Sequence, residues 1–167
     1  TSCNYAANTE AVQVRVTALA NVDVPAALVV DTPQTPTIDS LVALLNTTSH
    51  KSPTGTAFAA GDTLKNVIVM VKHPDGTSEP LAVGVPGDRE VDMKRLEAQL
   101  SPSEVEPFDD AAFAKFPALV KGYIGPDVLG TTRASGIRYL LDTRVVEGSA
   151  WVTGANAKGQ HVINFVY

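Results

Sequence analysis

The sequence predicts a mixed α/β or α+β domain organised around one sheet. Three observations predict it: an amphipathic helical pattern near residue 38, two apolar runs separated by a tight-turn signal near residue 75, and two further helical patterns followed by strand patterns. Helix, hairpin, two helices and more strands is not the strict βαβ alternation of a parallel sheet, nor the strand-only pattern of a sandwich.

Each element has a local reason. "VQVRV" (12–16) alternates strictly and reads as a half-buried strand. "VDVPAALVVDTPQTPT" (22–37), with Pro25, Pro33 and Pro36, reads as an extended connector. The main boundary is placed within it, leaving residues 1–30 as a flank and 31–167 as the principal domain. Thr37 is an expected N-cap, and Ile38, Leu41, Val42 and Leu45 then share one helical face. "TSHKSPTGTAFAAGD" (48–62) is a loop by composition. "NVIVMV" is continuously apolar and β-branched, as in a strand buried on both faces. "KHPDGTSE" turns at Asp75-Gly76, and "PLAVGVP" returns as the second strand. "DREVDMKRLEAQL" reads as a helix, with Val91, Lys94 or Arg95, and Leu96 at helical spacing; "DDAAFAKF" reads as a second, short one with acidic residues in its first turn. "IRYLLD" and "HVINFVY" are strand candidates.

The totals bound what such a domain can do. At 167 residues, one domain with a short appendage is expected. A composition 44% hydrophobic and 19% charged excludes a disordered chain. No apolar run approaches the roughly 20 residues of a membrane span, so no membrane partner is expected. The polar opening from Thr1 to Glu10 does not read as a signal peptide, and the single Cys3 forms no internal disulfide; a reducing, cytoplasmic setting follows. The net charge of −5 argues against capture of nucleic acid by bulk electrostatics. Local basic contacts from Lys51, Lys65, Lys72, Lys121, Arg133 and Arg138 remain available.

Familiar catalytic signatures are missing. There is no G-x-S-x-G elbow and no P-loop. His50, His73, His161 and Cys3 lack metal-ligand spacing, so no metal site is expected, and a Cys3–His dyad would place its nucleophile on the flank. Lys65, just before "NVIVMV", can aim its amine into a cleft beside the sheet or lie along the surface with its amine in water. Asp142 ends "IRYLL" as a turn aspartate or a site carboxylate; His161 opens the last apolar run as a structural or functional histidine. "KGYIGP" (121–126) combines two glycines with a proline. It is either an ordinary turn or a loop whose bare backbone must approach a ligand.

Taken in order, "TPxxxTIxxL…TLKNVIV…GYIGP…LLD…GANxxGxH" resembles the editing insertion of bacterial prolyl-tRNA synthetases, in a family that includes freestanding aminoacyl-tRNA deacylases. The resemblance runs from about Thr32 to Tyr167, and "CNYAANTEAV" resembles the lead-in from the parent's catalytic core. It implies a mostly antiparallel mixed sheet flanked by short helices, in a piece of a longer synthetase cut at both ends. It also implies hydrolysis of alanine mischarged on tRNA(Pro), with no cofactor. ATP and Mg2+ serve only the parent, a cytoplasmic homodimer that joins proline to tRNA. The implied roles fall on Thr63 and Lys65 as the "TxK" pair, Asp142 and His161 as pocket residues, Ile38 and Leu41 as setters of pocket size, and Gly122, Gly125 and Pro126 as the substrate loop. Asn66, where threonine is frequent, and the ending "NFVY" depart from the pattern. The class II motifs for ATP and proline are not recognisable, so the chain itself is not expected to ligate. The rival expectation is an insertion that binds the acceptor end, or is purely structural, without hydrolysis.

Overall fold

The computed structural model describes residues 23–167. The expected strand at 12–16, Cys3 and most of the 1–30 flank lie outside the described residues. The α+β class holds, but the strands divide into two sheets. Strands β2 (Leu64–Lys72) and β3 (Ser78–Pro86) form a long antiparallel hairpin. The short strand β4 (Glu104–Pro107) pairs antiparallel with β2, and β5 (Arg138–Leu141) pairs parallel with β3, giving the order β4-β2-β3-β5. A second sheet has the order β1-β7-β6, from β1 (Leu28–Asp31), β6 (Ala150–Gly154) and β7 (Gln160–Val166). Among the described residues, a single parallel bridge, Thr63 to Val152, joins them. The stretch expected as a connector thus contributes β1, with Val30 opposite His161.

Side-chain chemistry explains the elements. The hairpin closes at Asp75-Gly76: the Gly76 N–H donates to His73 O, and Gly76 supplies a φ of +84°. The middle of β2, residues 67–71, is apolar throughout because both of its faces are covered. Ile68 packs with Ala82, Phe108, Leu119 and Ile137 on one side. Val69 and Val71 pack with Leu81, Val83, Leu96 and Val105 on the other. Helix α1 (Ile38–Leu45) starts at Thr37, whose hydroxyl accepts from the Ser40 N–H while Ser40 Oγ accepts from the Thr37 N–H. Its Leu41 and Leu45 pack on Phe58, Val152 and Ile163, covering the three-stranded sheet. Helix α2 (Met93–Leu100) starts later than its hydrophobic spacing indicates, because Asp92 caps it and leaves Val91 outside. Helix α3 (Asp110–Phe113) is one turn, capped by Asp109.

The loop 121–126 crosses the end of β6 at backbone-to-backbone distance. A Cβ on Gly154 would lie 2.3 Å from the carbonyl carbon and oxygen of Tyr123. The contact is sealed by the Asn156 N–H donating to Tyr123 O and the Gly125 N–H donating to Asn156 Oδ1, both 2.8 Å. Gly154→Ala must therefore push backbone aside, and urea unfolding is expected to show a loss of about 1–3 kcal/mol, the range for overpacking.

Candidate functional site

Where the two sheets meet, a cavity of about 240 Å3 opens beside the start of β2. Its wall includes Ile38 and Leu41 from α1, Thr63 and Lys65 at the head of β2, Gly122 from the loop, and His161 from β7. Residues far apart in sequence converge because the Thr63–Val152 bridge brings the start of β2 against β6, while α1 covers β6 and β7 from the side.

Thr63 is buried; its hydroxyl donates to Ala60 O and its carbonyl accepts from the Gly87 N–H, both at 2.8 Å. It shapes the cavity floor and keeps an acceptor lone pair. Lys65 keeps only 20% of its side chain exposed, so the aliphatic stem lines the cavity while Nζ meets Glu90 Oε1 at 2.6 Å. Glu90 is 88% exposed, so a ligand can displace it at little electrostatic cost.

His161 is buried against the Tyr123 ring, with centroids 5.4 Å apart, and its Nδ1 lies 2.6 Å from Thr32 Oγ1. Burial strips the imidazolium of water and lowers the pKa from 6.5 to about 4. The ring is neutral at neutral pH and offers hydrogen bonds rather than charge.

Pro126 begins a single 3-10 turn, Pro126–Val128, directly behind the lining residues Gly122 and Ile124. Gly122 takes a φ of +85°, which lets the chain turn toward the cavity. Gly125 has no room for a side chain, since its Cβ would fall 2.2 Å from Gly154 O.

Asp142 sits elsewhere. It lines an adjoining, larger cleft of about 460 Å3 with Arg89, Glu90, Arg95 and Leu140, and is not among the residues lining the smaller cavity. Its Oδ1 accepts from the Arg144 N–H and its Oδ2 from Arg89, the geometry of a turn aspartate. Its link to the cavity is indirect, through Arg89, whose neighbour Glu90 holds Lys65.

Sequence reasoning did not single out Glu90, Thr32 or Asn156 as site residues, and it treated Asn66 only as a departure from a pattern. Thr32 and Asn156 fall inside the motifs "TPxxxTI" and "GAN", a signal for which the sequence offered no physical role. Glu90 lies in a charged run with no such signal. Among the described residues, no group of three or more His, Cys, Asp or Glu side chains is placed to hold a metal ion, and no helix is long and apolar enough to cross a membrane.

Residues 32–166 match the family model for the aminoacyl-tRNA editing domain, and the chain belongs to that family. Its relatives narrow the class. The chain is 63% identical to a proline–tRNA ligase of Kineococcus radiotolerans over 97% of its own length. It is 56% identical to one of a Nocardioides species and 54% identical to one of Cutibacterium acnes, each over 99% of its length. It spans only 28% of the length of each of these relatives.

The buried imidazole makes stability depend on pH. The unfolded chain takes up a proton near pH 6.5, and the folded one only near pH 4. His161's contribution is therefore complete above about pH 6.5, falls as the pH drops toward 4, and is lost below that. The size is on the order of 3 kcal/mol, at 1.36 kcal/mol per pKa unit. Urea titrations at pH 7 and pH 4.5 are expected to show this loss, and His161→Gln to remove most of the difference.

Proposed function

We propose that the domain hydrolyses the ester joining an amino acid to the 3′ end of tRNA. Within a longer proline–tRNA ligase, its substrate would be alanine mischarged on tRNA(Pro). The observation that carries this reading is the small cavity that gathers Lys65, His161, Thr63, bare loop backbone and two aliphatic side chains at one junction. Family membership and the names of the relatives support the same substrate class.

The chemistry requires little of the protein beyond placement. Water attacks the ester carbonyl carbon, the bond to the ribose oxygen breaks, and that oxygen takes up the proton. The neighbouring ribose hydroxyl of the substrate assists the attacking water. Backbone groups of Gly122–Pro126 hold the aminoacyl end. Lys65 exchanges Glu90 for the terminal nucleotide and places positive charge near the developing oxyanion. His161, neutral and anchored by Thr32, orients substrate or water by hydrogen bonding. Asp142 acts at a distance, bracing the Arg89–Glu90 segment. No metal or other cofactor takes part; ATP and Mg2+ belong to ligation by the full-length, homodimeric, cytoplasmic parent.

A second site of this kind answers a problem of discrimination. A pocket built for proline cannot sterically refuse the smaller alanine, and each missing methylene is worth only about 1–3 kcal/mol. A smaller cavity that admits alanine and excludes proline supplies the rest by destroying the wrong product.

Single-turnover deacylation of alanyl-tRNA(Pro) tests the reading. The chain is expected to release alanine, and Lys65→Ala to slow release about 100-fold, as for loss of one oxyanion-stabilising group, with an unchanged thermal midpoint. Binding of alanyl-tRNA without release would identify the domain as an acceptor-end-binding module instead.

Pocket size has its own test. Leu41 is 2% exposed, so Leu41→Ala is expected to cost about 2–5 kcal/mol. Ile38 is only half-buried and is the cleaner probe. Ile38→Ala is expected to stay folded and to begin hydrolysing prolyl-tRNA(Pro), read by release of labelled proline. A folded variant that still ignores prolyl-tRNA removes Ile38 from the sieve.

A further inference from the structure

Asn66 occupies an unusual position. It is the first residue of the run "NVIVMV", yet its side chain is polar and lies partly buried at the edge of the cavity. Its Nδ2 donates to Ile124 O in the substrate loop at 2.8 Å and to Thr153 Oγ1 at 3.3 Å. Its Oδ1 accepts from the Tyr139 hydroxyl at 2.6 Å. Donors and acceptors here admit one assignment. The Ile124 carbonyl can only accept, so the amide turns its NH2 to the loop and its oxygen takes the proton of the Tyr139 phenol. Thr153 gives its only hydroxyl proton to Leu64 O and so accepts from Asn66. The amide can then point only one way, with its NH2 toward the loop.

The sheet is shaped to allow this contact. Asn66 is on β2 and Tyr139 on β5, with β3 between them. The β3 residue opposite Asn66 is Gly84. A Cβ there would lie 2.5 Å from the Tyr139 hydroxyl oxygen. The missing side chain opens a passage across the middle strand, through which the phenol reaches two strands over.

We propose that Asn66 is a positioning residue for the cavity: oriented by Tyr139 across Gly84, its amide holds the Ile124 carbonyl and thereby fixes the Gly122–Pro126 backbone against which the aminoacyl group is held. The loop's other anchors, through Asn156, tie Tyr123 and Gly125 to the end of β6. Asn66 adds the tie to β2, the strand that carries Lys65. It thereby sets the distance between the loop and that lysine. In its catalytic part this inference rests on the proposed deacylation.

Three variants of the 167-residue chain test it. Asn66→Asp keeps the acceptor for Tyr139 but removes the donor to Ile124. Tyr139→Phe keeps the ring and removes the partner of the amide oxygen, leaving the donor to Ile124 in place. Asn66→Gln moves the same groups outward by one methylene. Amide hydrogen exchange across 120–127 reads the loop directly, without substrate. Tyr139→Phe and Asn66→Asp are each expected to speed exchange of the Tyr123 and Gly125 amides by about tenfold or more, while the β2–β3 core keeps its protection. In single-turnover assays the maximal deacylation rate should fall about tenfold, with the half-saturating tRNA concentration changed less than twofold, because the loop places the reacting end rather than capturing the tRNA. Asn66→Gln should recover part of both. If the folded variants exchange their loop amides like the parent sequence, the proposal is overturned, whatever the kinetics. If Asn66→Asp does not fold, Asn66→Ala, which also removes the donor to Ile124, decides by the same two readouts. If the unmodified chain hydrolyses nothing, the deacylase reading fails, and the exchange result still decides whether Asn66 fixes the loop.

Discussion

The site depends on two stretches of backbone that touch with no side chain between them. Residues 122–126 cross the end of β6 where Gly154 and Gly125 both lack a Cβ, and each would clash with the other's chain if it had one. A contact of this kind is specific because any side chain breaks it. Three polar groups then fix its register: the Asn156 amide group, the Asn156 N–H and the Asn66 amide. The cavity has one rigid wall of main chain as a result. Main chain is well suited to hold a small aminoacyl group, since it offers donors and acceptors without rotamer freedom to lose.

Beyond Lys65, the segment after β3 works by charge. Asp88, Arg89 and Glu90 are consecutive, and each reaches a different partner: Arg144 at 3.1 Å, Asp142 at 3.2 Å and Lys65 at 2.6 Å. Exposed pairs of this sort contribute about 0–1 kcal/mol each. Their effect is directional rather than energetic. Two of them brace the segment, so that the third presents a carboxylate to the lysine at the cavity edge. Asp142 belongs to this support, which explains why a residue whose place in the motif order associates it with the pocket is found in the neighbouring cleft.

Much of the fold was legible because local chemistry and tertiary packing agree. The Thr37 cap, the apolar β2 run and the Asp75-Gly76 turn all do in the structure what their residue types favour. Three strands were not foreseen, for different reasons. Strand β1 lies in the proline-bearing stretch read as a connector, and it forms because β7 pairs with it. Strand β4, "EVEP", is charged and ends in proline, and it exists because β2 offers it an edge. Strand β6, "AWVTG", is short, mostly buried and broken by an irregularity between Trp151 and Thr153, so it shows no alternation. The division into two sheets was equally hidden, since it turns on one bridge between residues 89 positions apart. Among the residues around the cavity, Lys65, Thr63, His161, Ile38, Leu41 and the glycine loop were singled out by the order of motifs. Glu90 and the role of Asn66 were not, because both depend on strand register and loop approach rather than on any neighbour in sequence.

The passage over Gly84 has a consequence for how such domains diverge. Asn66, Gly84 and Tyr139 occupy three adjacent strands and meet in one contact. A side chain at 84 evicts the phenol and presses on Leu141; without the phenol the amide oxygen loses its partner, while the Ile124 carbonyl still holds the NH2. Changes at these positions are therefore coupled as such domains diverge, across 73 residues of sequence that only the fold makes local.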